Sequence, residues 1–302
     1  SAFNIAPDKS DAMNFSHILS EILRGQWAIE PQTALSHSSL VASLISGKSE
    51  NFQPRSEFLH LVSAGSGIVT SDNYKDAPAG SVAIIPVKGT MMKYGTMCSY
   101  GTEEIAAIFS AAMASKKISA IILDIDSGGG AVNAIAPLAN LLSSKSKPVV
   151  ALCDTAASAA YYVASGTDHI MADNNLSSGF GSIGVVTSFV DMQPYWEMQG
   201  IKFHTIYAKE SKDKNLAFEK ALKGDYEMMQ DEILSPLARQ FQNHVKQSRA
   251  TKLKSETPGI LTGKMFFAED ALENGLIDSI GNMQKAIEKA LLLADVKKFM
   301  NS

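Results

Sequence analysis

From residue 81 onward, short runs of aliphatic and β-branched residues alternate with stretches whose apolar positions recur at helical spacing. The runs at 82–87, 120–125, 149–153, 169–172, 183–187 and 203–207 are predicted strands, with helices between them at about 103–115, 131–144, 158–165 and 189–199. Strands that alternate with helices imply crossover units, and therefore an α/β fold with a mainly parallel sheet and flanking helices. Such sheets place their ligands beyond the carboxyl ends of the strands. Farther on, Phe218, Leu222, Met229, Ile233, Leu237 and Phe241 recur near the helical period and predict one long helix over 216–249, packed across the sheet or against a neighbouring subunit. Residues 283–294 predict a further amphipathic helix.

The first eighty residues read differently. Asp11 is placed to cap a helix carrying Phe15, Ile18, Leu19 and Leu23 on one face, and a second apolar stretch covers 35–45. The polar passage 63–80 reads as a linker, so the division expected is a small, mostly helical N-terminal region at 1–80 and a larger domain at 81–302.

Composition narrows the function. A chain of 302 residues with 45% hydrophobic content buries a substantial core. Its net charge of -4 and dispersed Lys and Arg give no basic face for phosphates, so nucleic acid is not an expected partner. Cys98 and Cys153 read as buried free thiols, and the six histidines (His17, His37, His60, His169, His204, His244) show no pair at metal-ligand spacing. Neither metal nor cofactor is expected. There is no run of about 18 or more apolar residues and no basic-apolar-small order at the start, so a cytoplasmic protein without membrane attachment is the expectation.

Two turns carry candidate chemistry. Ile125-Asp126-Ser127-Gly128-Gly129-Gly130 follows one predicted strand and precedes a helix; its glycines let the backbone approach a ligand and leave N–H groups free for an oxyanion, though a tight structural turn or a phosphate site fits as well. The phosphate reading lacks both nucleotide-binding fingerprints. Ser158, in Ala156-Ala157-Ser158-Ala159-Ala160-Tyr161-Tyr162, follows the next strand at a helix start, where a serine is either an N-cap or a nucleophile with little bulk around it. Because both turns leave carboxyl ends of presumed parallel strands, the N–H groups of Gly129 and Ala159 can converge on one carbonyl oxygen. A base for Ser158 is not obvious: His169 and His204 read as strand residues, no G-x-S-x-G elbow is present, and the cluster Lys209, Lys212, Lys214 reads either as a solvated loop or as the source of a neutral amine.

These residues resemble a known family. Ala83-Ile84-Ile85-Pro86-Val87-Lys88-Gly89-Thr90, the segment Asp126 to Gly130, Ala157-Ser158-Ala159-Ala160-Tyr161-Tyr162, Gly181-Ser182-Ile183-Gly184-Val185, and Gly263 to Gly281 with Gly275-Leu276-Ile277-Asp278 are similar in order and spacing to the SppA-type (protease IV) serine-lysine peptidases. The resemblance covers about 81–290 and implies the ClpP/crotonase fold; within the family it is nearest the phage capsid-associated protease (minor capsid protein C) type. It implies Ser158 as nucleophile, Lys212 as general base with Lys209 and Lys214 as fallbacks, and Ser182 as the hydroxyl orienting the lysine. Gly129 and Ala159 match the oxyanion donors, with Gly128 and Gly130 in substrate binding. A ClpP-type triad is excluded, because Ile183 stands where its histidine belongs.

The chain departs from the family at Gly128, where proline is usual, at Ala159-Ala160, where two glycines are usual, and at Lys209, where glycine is common. The resemblance further implies a polypeptide substrate and a homo-oligomer, with phage scaffold or capsid proteins as the substrates in a prohead. The alternatives are a signal-peptide-degrading peptidase, a non-catalytic capsid component and a crotonase-type acyl-CoA enzyme.

Overall fold

The computed structural model describes residues 27–29, 60–64, 67–71, 74–95, 99–189 and 191–301. Among the described residues three short strands precede residue 80: β1 (Trp27–Ile29), β2 (His60–Ala64) and β3 (Gly67–Ser71). The main sheet is then built by β4 (Ser81–Lys88), β5 (Ile118–Ser127), β7 (Val149–Ala157), β8 (His169–Ala172) and β9 (Gly179–Gly181), while β6 (Gly129–Ala131) leaves it after β5; β10 (Met265–Phe267) and β11 (Ser279–Ile280) come last. The order across the sheet is β10-β9-β7-β5-β4-β2-β3, and β8 pairs with the first half of β7 while carrying β11 on its far side. Contacts among β4, β5, β7, β8 and β9 are parallel; β2, β3 and β10 add antiparallel edges. This is the expected α/β fold with a mainly parallel sheet.

The core follows from the period of two along each strand. Val82 and Ile84 of β4, Ala120 and Ile122 of β5, and Val150 and Leu152 of β7 face Ala286, Ile287, Ala290 and Ala294 of the C-terminal helix. Their neighbours Ala83, Ile85, Ile121, Leu123, Ile125, Ala151 and Cys153 face the opposite side, in a cluster with Phe109, Leu138, Tyr161 and Val245. Both faces of the central strands are therefore covered, which is why these runs read as almost continuously apolar. Pro86 is tolerated inside a central strand because β2 pairs with β4 only as far as Ile84, so no partner needs its missing N–H.

The helices are α1 (Thr102–Ala114), α2 (Ala136–Ser143), α3 (Ala159–Ser165), α4 (Gln193–Met198), α5 (Leu216–Leu222), α6 (Glu227–Met229), α7 (Ser235–Arg249), α8 (Ala268–Glu273) and α9 (Met283–Asn301). Among the described residues none is long and apolar enough to cross a membrane. Four expectations differ from what is observed. The helix predicted over 216–249 is interrupted at Gly224, where φ is 83°, and again by a π turn at Gln230–Leu234. The helix predicted from 131 starts at 136, because 129–131 is strand. Among the described residues 203–207 form no strand despite their composition, and 183–187 is reduced to a single bridge residue at Val186, since a strand needs a continuous partner edge. The passage expected as a linker contains the β2–β3 hairpin over its first part, fixed by its pairing to β4. The helices expected at the N-terminus, and Cys98, lie outside the described residues.

An ion cluster centred on Asp278 ties β8 to the end of α7. Asp278 accepts two hydrogen bonds from Arg249 (2.9 and 3.0 Å), one from Lys252 (2.7 Å) and one from the Ile170 N–H (2.8 Å). Burial pushes its carboxyl up, but these donors override burial and hold it well below the usual carboxylate range. Beside it His169 bonds the Ser279 hydroxyl at 2.8 Å and is kept neutral, burial lowering its pKa to about 4 against the opposing pull of Asp278.

Between about 4 and the ordinary 6.5 the unfolded chain binds a proton that the folded chain refuses, so stability drops as pH falls through that window, by up to about 3 kcal/mol. Urea denaturation at pH 7 and pH 4.5 should show this loss, and His169→Gln, which does not titrate, should remove the larger part of it.

Candidate active site

The carboxyl ends of β5, β7 and β9 lie side by side, with Ser127 registered against Ala156 and Ala157 against Gly181. The next residues along these strands bring Gly129, Ser158 and Ser182 to one end of the sheet, and the polypeptide leaves β7 and β9 by strained turns. Ser158 has φ 55° and ψ −120°, and Ser182 has φ 52°, values seldom adopted outside glycine and costing about 1–3 kcal/mol each.

Neighbouring bonds hold that strain. The Ser158 N–H donates to Gly181 O at 2.8 Å, its carbonyl accepts from the Tyr162 N–H at 2.9 Å, and the Ser182 N–H donates to Lys264 O at 3.1 Å. A Cβ at Gly181 would overlap the Lys264 carbonyl, so glycine is needed where β9 passes β10. Ser158 stands at the N-cap position of α3 without capping it: its side chain makes no capping bond. It is 1% exposed, and its hydroxyl has no hydrogen-bond partner among the described residues. Helix α3 behind it is anchored at Tyr161, whose phenol donates to Leu276 O at 2.7 Å.

The glycine turn is more constrained than its sequence suggests. Gly129 has φ 98°, its N–H donates to Ser127 Oγ at 3.1 Å, and Ser127 in turn donates to the Gly89 carbonyl. Met91 lies along β6 on one side: its N–H donates to Gly129 O and its carbonyl accepts from the Ala131 N–H, both at 2.9 Å. A Cβ at Gly130 would overlap that Met91 carbonyl, which accounts for the third glycine. Ala159, the first residue of α3, has no intrahelical acceptor for its N–H. Gly128 connects β5 to β6, in line with this turn.

The remaining candidates separate clearly. Lys212 sits in an exposed turn just before α5, and neither it nor the equally exposed Lys209 and Lys214 is bonded to Ser158. The stretch leading to it is exposed and apolar: Met198 is 77%, Phe203 56% and Ile206 92% accessible. His169 pairs with Val150 at the opposite end of β7, so about 25 Å of strand separates it from Ser158. His204 is exposed. Cys153 is fully buried, and burial, reinforced by Asp124, pushes its thiol well up, so it is an inert core residue. Among the described residues no group of three or more His, Cys, Asp or Glu is arranged to hold a metal.

Two contributors escaped the reading of the sequence. Ser127 was legible only as a hydroxyl between an acid and three glycines, and Asp278 only as the end of a short motif. Their roles depend on partners 38 and 29 positions away, Gly89 and Arg249.

The model of Peptidase family S49 matches residues 142–297, a span that includes Ser158, Ser182 and Lys212. Protease 4 of Haemophilus influenzae is 29% identical over 222 residues, covering 72% of this chain and 35% of that protein. A putative signal peptide peptidase SppA of Enterococcus faecium is 24% identical over 280 residues, covering 87% and 80%. The head-tail preconnector protein GP5 of enterobacteria phage P21 is 30% identical over 214 residues, covering 68% and 42%. The chain spans about a third of the length of the protease 4 relatives it matches.

Proposed function

This chain belongs to peptidase family S49, and from that premise we propose that it is a serine peptidase of the SppA/protease IV type acting on polypeptides, with Ser158 as nucleophile. The observation that carries the reading is the Ser158 turn: a hydroxyl unpartnered among the described residues, on a strained strand-to-helix corner, flanked by the Ala159 N–H and the Gly129 loop at the carboxyl ends of parallel strands. Family membership supports the serine-peptidase activity. The way β7 divides its pairing between β8 and β9 is in keeping with the ClpP/crotonase fold that the sequence resemblance implies.

In the proposed reaction a neutral lysine amine takes the Ser158 proton as Oγ attacks a peptide carbonyl. The oxyanion is met by the N–H of Ala159 and by that of Gly129, which exchanges its Ser127 acceptor for the stronger, charged one. The amine then protonates the leaving group, and water activated by the same amine hydrolyses the acyl-enzyme. Lys212 is the proposed base and Ser182 the hydroxyl that orients it. Since Lys212 is exposed within one chain, it completes the site of a neighbouring copy in a homo-oligomer, a docking that would also cover Met198, Phe203 and Ile206.

A head-maturation role on phage scaffold or capsid proteins is the second reading, favoured by the likeness to the P21 protein. The bacterial protease 4 and SppA relatives weigh toward the general peptidase instead. A crotonase-type acyl-CoA reaction leaves the Ser158 corner without a use. Incubation with a fluorophosphonate followed by peptide mapping should find the label on Ser158 alone; a chain that stays unlabelled, or is labelled elsewhere, defeats the proposal.

A further inference from the structure

The glycine strand β6 is paired on both sides. Met91 occupies one edge, bonding Gly129 O and the Ala131 N–H. Because backbone groups alternate along a strand, the N–H and carbonyl of Gly130 point to the other edge. There β1 lies antiparallel, with Trp27 opposite Ala131, Ala28 opposite Gly130 and Ile29 opposite Gly129. Among the described residues β1 and β6 form a two-stranded sheet of their own, so β1 has no other partner.

That edge matters because of where it lies. β6 begins at Gly129, beside the Ser158 corner, and α3, which starts one residue after Ser158, packs on β6. A polypeptide cleaved at Ser158 has to be held extended with one carbonyl at Oγ, and the outward N–H and carbonyl of Gly130 are placed to hold it. Adding a strand to such an edge gives affinity through main-chain bonds without requiring a particular sequence.

We infer that Trp27–Ile29 is an internal pseudosubstrate strand, which occupies the peptide-docking edge of β6 and keeps the chain's own site closed to polypeptides until it is displaced. The inference rests on the peptidase reading above. It assigns a role to the N-terminal region that the family resemblance scarcely covers: an extended piece of this chain competes with substrate for Gly130. The strand is short, so a longer polypeptide that also engages other parts of the site can displace it.

The test uses the full chain and two readouts, labelling of Ser158 by a small fluorophosphonate and cleavage of an unfolded polypeptide such as reduced casein. Ala28→Pro removes the N–H that faces the Gly130 carbonyl, and replacement of 27–29 by Gly-Ser-Gly is the second variant should the first fail to fold. Ala28→Ser keeps the N–H and serves as control. Both disrupting variants should cleave polypeptide about tenfold faster than the parent, chiefly through a lower KM, and Ala28→Ser should match the parent; tenfold corresponds to the loss of one or two net backbone hydrogen bonds from the resting state. A synthetic peptide of residues 24–33 should inhibit the Ala28→Pro chain, and its own proline-substituted version should not. Labelled Ser158 with unchanged or slower cleavage in both variants overturns the pseudosubstrate strand while leaving the peptidase reading intact. Absence of label on Ser158 in every chain removes the peptidase reading and this inference with it.

Discussion

Chains carrying Ser158→Ala alone or Lys212→Ala alone should be inactive toward polypeptide, and equal mixtures of the two, dissociated and reassembled, should recover about a quarter of parental activity. The first half follows from the proposed roles: loss of an activated nucleophile lowers turnover by about 10^4-fold or more, and loss of its base by about 10^3-fold. The Ser158 side chain has no hydrogen-bond partner among the described residues, so alanine there is expected to leave the fold intact. The recovery follows from the exposure of Lys212 in a single chain. If each site takes its serine from one copy and its lysine from the next, random assembly makes one site in about four competent, whereas a site completed within one chain gains nothing from mixing. Sedimentation of the mixed sample reads the assembly directly, and a fully active monomer would end the shared-site proposal.

Arg249→Met should cost about 3–5 kcal/mol of folding stability, the largest loss expected from any single replacement away from the active site. Arg249 is 3% exposed and gives both guanidinium arms to Asp278. Removing it leaves a carboxylate buried with Lys252 and one backbone N–H as its remaining donors, and it also frees the Gly275 carbonyl that Arg249 Nε holds at 2.8 Å. The double replacement Arg249→Met with Asp278→Leu should recover part of the loss, because a paired vacancy filled by apolar atoms leaves no unmatched charge. Chemical denaturation of the four chains gives the coupling. Equal destabilisation by the single and double replacements would show that packing of the 249–278 contact, and not charge, is what matters. The defect should also reach the Ser158 corner, since Tyr161 on α3 is bonded to Leu276 within the segment that Arg249 anchors.

Much of the architecture was readable because its determinants are local. The runs at 82–87, 120–125, 149–153 and 169–172 form strands, and the helices near 103 and 158 form where the periodicity puts them, since each pattern is complete within about a dozen residues. Conversely, 203–207 has the composition of a strand and no ladder, because composition specifies a preference for extension and says nothing of whether an edge is available. The long helix over 216–249 has a continuous apolar stripe, yet Gly224 at φ 83° ends its first part. Gly129, Ser158 and Ser182 do come to neighbouring strand ends, as an argument from parallel topology requires, while Lys212 stays at the surface of the single chain.

By itself the sequence determined the alternation of strands and helices, the glycine turn after β5, and a small-residue corner bearing a serine after β7, because side-chain size and backbone freedom act over a few neighbouring residues. Only the tertiary structure decided what meets at those places: Gly181 bonded to Ser158, Ser127 bridging Gly129 to Gly89, Arg249 on Asp278, and Trp27–Ile29 laid along β6. Each of these joins groups far apart in the chain through main-chain or charged bonds, and such bonds are indifferent to the residue patterns from which local structure is read.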